Sequence, residues 1–100
     1  MNALQVLQPD PHAVYTIEVA AELARVPRRL IVLYYKHGLI SPVSDPSGGW
    51  NFDNDAIRLL RQIEYLRLAY GLNLAGIKLV FGLMEEVERL RNELRFRNRT

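Results

Sequence analysis

The sequence predicts an all-α domain: a helix-turn-helix with a small β wing, followed by a C-terminal dimerisation helix. Three observations predict it. Two short helical segments meet at an abrupt "RVP" turn, a run rich in proline and glycine follows, and two longer amphipathic segments fill the second half. One hundred residues suit one domain. A chain of this size buries only about two thirds of its unfolded surface, so a partner subunit would add stability.

Residues 1–14, with Pro9 and Pro11 and no clear period, read as an N-terminal arm. Thr16 is placed to cap "IEVAAELAR", whose Glu18 lies near the positive end of the helix dipole. Pro27 suits the first position of a second helix, "PRRLIVLYYKHG", ended by Gly38. Two helices joined this tightly form the helix-turn-helix pattern. In "LISPVSDPSGGWNF" the prolines and the Gly48–Gly49 pair exclude helix and favour a turn between short strands. Of the two aromatics at the wing end, Phe52 is expected inward and Trp50 partly outward.

Asp53 is expected to cap a third helix closed by Gly71, with an apolar stripe of Leu59, Ile63, Leu66 and Tyr70. Asn73 is expected to cap a fourth. There Ile77, Val80, Met84, Val87, Leu90 and Leu94 step by three and four, a heptad-like seam for a homodimer. Residues 15–95 are thus read as one domain and 96–100 as a tail.

The chain has no cysteine, which excludes disulfides and thiolate metal sites. His12 and His37 are too far apart and too poorly accompanied for a metal site. No phosphate-cradling glycine motif, catalytic carboxylate pair or activated nucleophile is recognisable, so neither enzyme activity nor a cofactor is expected. No apolar run reaches about 18 residues and the N-terminus lacks a signal-peptide pattern, which predicts a cytoplasmic protein without a membrane partner. Tyr34 and Tyr35 are read as packing residues with wet hydroxyls.

Net charge is only +2, but Arg25, Arg28, Arg29 and Lys36 fall within one stretch that contains no acid. They are the candidate DNA-binding residues, set against the plainer reading of a solvated helix side. The arginines from Arg89 to Arg99 suit the negative end of a long helix.

Order and residues together resemble a known group. "YTIEVAAELA", then "YYKHGLI", then "GGWNFD" and "AIRLLRQIEYLR" resemble the MerR superfamily of winged-helix proteins. "LNLAGI" and "LMEEVERL" in the last helix, with the W-x-F-D wing end, are similar to the CbpM-type chaperone modulators of bacteria. That resemblance implies a protein partner, the J-domain of a DnaJ-like co-chaperone, which the modulator restrains. Because J-domains present a basic helix face, an acidic surface is expected; Glu64, Glu85, Glu86 and Glu88 are the candidates, with Trp50 as a wing contact.

The alternative is a MerR-type DNA-binding transcriptional regulator. DNA-binding members typically carry a second arginine in the recognition helix and another at the wing. This chain has Val32 or Leu33 at the first position, depending on alignment, and Asn51 at the second. Weak DNA binding is therefore expected, because phosphate neutralisation supplies most of the baseline affinity.

Overall fold

The computed structural model describes residues 10–43 and 49–98. Arm residues 1–9, residues 44–48 where the turn at Gly48 is expected, and residues 99–100 of the tail lie outside the described residues. Six elements follow in order: β1 (Val14–Thr16), α1 (Ile17–Ala24), α2 (Arg28–Lys36), β2 (Asn51–Asp53), α3 (Asn54–Tyr70) and α4 (Leu74–Asn98). The chain divides into two compact units, Met1–Glu64 and Tyr65–Thr100.

In the first unit, local chemistry starts and stops each helix. Thr16 accepts from the Val19 amide at 3.3 Å and caps α1, as its sequence position implies. The α1 C-cap is Arg25, left-handed at φ 58°, with the Val26 amide reaching back to the Ala21 carbonyl at 3.0 Å. A side chain with a Cβ costs roughly 1–2 kcal/mol in that conformation. Pro27 stands one residue earlier than expected, at the α2 N-cap; its carbonyl accepts from the Leu30 amide at 2.9 Å. Past Lys36, Gly38 takes φ 75° and closes α2. Asp53 caps α3 by accepting from the Ala56 amide at 2.9 Å.

The sheet departs from expectation. Its strands do not pair across the proline-rich turn alone. β2 runs antiparallel to β1, with Val14 opposite Asp53, Tyr15 opposite Phe52 and Thr16 opposite Asn51. Val43 adds a single bridge to Asn51. The arm boundary at 14 therefore falls inside a strand. Residues just before it are held too: the Tyr15 hydroxyl donates to Asn54 Oδ1 at 2.9 Å, and Asn54 Nδ2 donates to the Asp10 carbonyl at 2.7 Å.

The core of this unit collects Ile17, Ala20, Ala24, Val26, Ile31, Tyr34, Ile40 and Phe52, with Ala56, Ile57, Leu60 and Ile63 from α3. α1 packs on α2 and on both strands. Burying a side chain such as Phe52, fully enclosed, is worth about 1.5–3 kcal/mol. The expected α3 stripe is rotated. Ile63 is buried as anticipated, but Leu59 and Leu66 are half-buried and Tyr70 is exposed.

In the second unit, Gly71 (φ 65°) closes α3, and Asn73 caps α4 by accepting from the Gly76 amide at 2.9 Å. α4 continues to Asn98, so the expected boundary at 95 falls inside the helix. No described helix is long and apolar enough to cross a membrane.

Candidate partner-binding surfaces

β2 encloses Phe52 completely, while Trp50, two residues earlier and just before the strand, stays 38% exposed; the two share a strand face by spacing, so position at the strand end and not alternation separates them. Trp50 meets the ring of Tyr35 on α2 edge to face at 4.4 Å between centroids, and that of Phe52 at 6.4 Å. The two tyrosines of α2 separate: Tyr34 is buried, whereas Tyr35 stands with Trp50 at the surface. Sequence reasoning singled out Trp50 but not its partner ring, because the contact joins residues from two elements.

Beside this aromatic pair lies an open cleft of about 510 Å³, lined by Thr16, Ile17, Glu18, Arg28, Val32, Gly49, Trp50 and Asn51. Two of its lining residues, Glu18 and Arg28, form an ion pair at 3.7 Å, with side chains 66% and 68% exposed. So exposed a pair contributes at most about 1 kcal/mol and is readily broken. Arg25, Arg29 and Lys36 are exposed as well, so all four basic candidates are open to solvent. Glu18 entered the sequence reading only as a helix-start residue; its place in a cleft depends on the wing folding back beside α1 and α2.

The acidic candidates fare unevenly. Glu64 is only 7% exposed and is corrected: its position on α3 falls on the rotated buried face, so it is not part of an open acidic surface. Glu85 and Glu88 on α4 are exposed. Glu86 is engaged by Arg89, whose Nε donates to Glu86 Oε2 at 3.1 Å and whose Nη2 donates to Oε1. The same arginine reaches Glu93 at 3.3 Å. The hydrogen bond from Arg89 holds the Glu86 carboxyl below its ordinary range.

The seam residues are split as well. Ile77 is 1% exposed within the single chain, so it is removed from the open dimer row. Val80 is half-buried, while Met84, Val87, Leu90 and Leu94 are exposed. Leu79 and Leu83 are exposed on the same helix and were missed. With Leu83 included, Val80, Leu83, Val87, Leu90 and Leu94 follow a strict 3-4-3-4 spacing. On the same unit Tyr65 and Tyr70 form an exposed edge-to-face pair at 5.9 Å.

Comparison with known proteins agrees with this architecture. The "Putative heat shock protein HspR" of Streptomyces coelicolor is 37% identical over 89 residues, covering 89% of this chain and 58% of that protein. The "Chaperone modulatory protein CbpM" of Salmonella arizonae is 36% identical over 58 residues, 58% of this chain and 57% of its own length. The chain thus spans less than two thirds of either relative. Among solved structures, HiNmlR, described as a MerR family regulator lacking the sensor domain and bound to promoter DNA, shares the fold. Its TM-score is 0.61 at 23% identity, covering 83% of this chain and 69% of that one. The family described as "MerR HTH family regulatory protein" matches residues 15–99, and the chain belongs to it.

Proposed function

We propose that this chain is a non-enzymatic chaperone modulator that binds the J-domain of a DnaJ-like co-chaperone and restrains it. The observation that carries this reading is the wing end. A half-exposed Trp50 braced by Tyr35, with Asn51 beside it, offers an aromatic anchor and an amide where a phosphate contact would need a cation. Partly exposed tryptophans are typical protein hot spots, where truncation often costs about 2 kcal/mol or more. The likeness to a relative named as a chaperone modulatory protein supports the same reading. The active form is a homodimer through the apolar row of α4: half-buried Val80 with exposed Leu83, Met84, Val87, Leu90 and Leu94. Glu85, Glu86 and Glu88 are retained as α4 contacts.

A specific observation favours a second reading, a DNA-binding transcriptional regulator. Arg25, Arg28, Arg29 and Lys36 are all exposed on the helix-turn-helix, and the match to HspR spans that region. Two measurements separate the readings. A purified J-domain should be captured by the chain, and Trp50→Ala should abolish most of that capture. Duplex DNA should bind weakly, with a shallow salt dependence, since each missing phosphate contact lowers the slope by about 0.9. A tight, sequence-selective DNA complex at physiological salt, with no J-domain capture, would reverse the order.

A further inference from the structure

We infer that the cleft between α1, α2 and the wing end is a subsite for a basic side chain, a lysine or arginine, of a partner protein. The inference rests on the chaperone-modulator reading for the partner's identity and adds where its positive charge is received. Four walls carry the argument. Trp50 contributes indole surface, and aromatic surface attracts cations within about 6 Å of the ring centroid. Glu18 supplies a carboxylate at the rim, its side chain two-thirds exposed. Ile17 and Val32 give an apolar floor along which the methylenes of a long cationic side chain can lie. Asn51 adds an amide that can accept from a guanidinium or ammonium.

Arg28 is the opposing feature, and the geometry decides how it acts. Its guanidinium is 3.7 Å from Glu18, and both side chains are largely in solvent. Arg28 is therefore an internal placeholder, a cation already occupying the carboxylate that an incoming one would take. Exposed pairs of this kind exchange at little cost. A carboxylate could in turn take Arg28, but it would gain nothing from the indole, so Trp50 is what favours a cation. Two of the other acidic candidates are less suited to receive the charge: Glu86 on α4 is engaged by Arg89 through two hydrogen bonds, and Glu64 on α3 is buried.

Trp50 is the sole tryptophan of the chain, so its fluorescence reports this cleft directly. The probe is a capped tetra-arginine peptide at low salt, with capped tetra-glutamate and a duplex DNA as controls, titrated into the full chain. Expected is a saturable change with tetra-arginine alone. It should weaken about threefold or more in Glu18→Gln and strengthen in Arg28→Gln, because that variant removes the competitor. Unchanged or tighter binding in Glu18→Gln, unchanged or weaker binding in Arg28→Gln, a saturable response to tetra-glutamate or DNA, or no response to tetra-arginine would overturn the inference. Circular dichroism accompanies each variant; should Glu18→Gln fail to fold, the sign of the Arg28→Gln effect decides alone. J-domain capture separates this inference from the reading beneath it. Capture by the wild type that Glu18→Gln leaves unchanged sinks the cleft assignment only. Absence of capture by the wild type sinks the modulator reading, while the peptide titration still decides the cleft.

Discussion

Tyr35 and Trp50 meet edge to face, their ring centroids 4.4 Å apart and their planes inclined at 63°. One comes from α2 and the other from the chain entering β2, so the contact ties the helix-turn-helix to the wing. Both rings also remain more than a third exposed. That combination of anchoring and exposure suits a preformed contact surface, because the rings lose little freedom when a partner covers them.

The pair should be energetically coupled. A double-mutant cycle with Tyr35→Leu and Trp50→Leu, read by urea unfolding, should give an interaction energy of about 0.5–1.5 kcal/mol. A value near zero would make the two rings independent and remove the reason for treating them as one surface.

Phe52, two residues on, should behave differently. It is completely enclosed, and Phe52→Ala should cost about 3–5 kcal/mol, enough to unfold a domain of this size. Trp50→Ala should leave the fold intact and act on binding. Equal losses of stability in the two variants would identify Trp50 as a second core plug.

Much of this architecture is legible in the sequence, because much of it is local. Thr16, Asp53 and Asn73 each accept from an amide three residues on, so residue type and spacing reveal the caps. β1 is illegible for the opposite reason. Val14 pairs with Asp53, 39 residues later by their numbering, and nothing in "HAVYT" announces that partner. The rotation of the α3 stripe has a similar origin. Leu59 and Leu60 are equally apolar, and only packing decides that Leu60 is buried. Glu64 shares that buried face, where a charge is not anticipated. The cleft at Glu18 is invisible for the same reason as β1: its walls come from distant parts of the chain.

The caps themselves make a sharp quantitative test. Asp53 accepts at 2.9 Å in a part-buried setting and sits at the junction of β2 and α3. Asp53→Ala should destabilise the chain by about 1 kcal/mol, and Asp53→Asn should recover most of that loss. Equal damage from both substitutions would point to the charge at the helix start rather than the hydrogen bond.

Acidification should weaken α4 through Glu86. Hydrogen bonding from Arg89 holds the Glu86 carboxyl below its ordinary value. With the folded value depressed, the unfolded chain takes up the proton first. The contribution is therefore present above the unfolded pKa and is lost as pH falls through the folded one. Both side chains are more than half exposed, so the effect should be small and should fade with added salt. Glu86→Gln should flatten the acid limb of stability against pH; an unchanged limb would mean the pair is inert.

Self-association should follow the open face of α4 and not its buried residue. Val87 and Leu90 are exposed and lie in the 3-4-3-4 row with Val80, Leu83 and Leu94. Covering side chains of this size in a coiled seam is worth about 1.5–3 kcal/mol each. Val87→Asp combined with Leu90→Asp should give a monomer in sedimentation, with helical signal lowered only where the seam had stabilised α4. Leu83→Asp alone should weaken association, since a carboxylate would be brought into an apolar seam. Ile77→Asp should act differently, because Ile77 is already enclosed in the single chain: it should lower the midpoint of unfolding at every protein concentration. A dimer that survives the double substitution would place the interface elsewhere, with the exposed Tyr65 and Tyr70 pair as the next surface to alter.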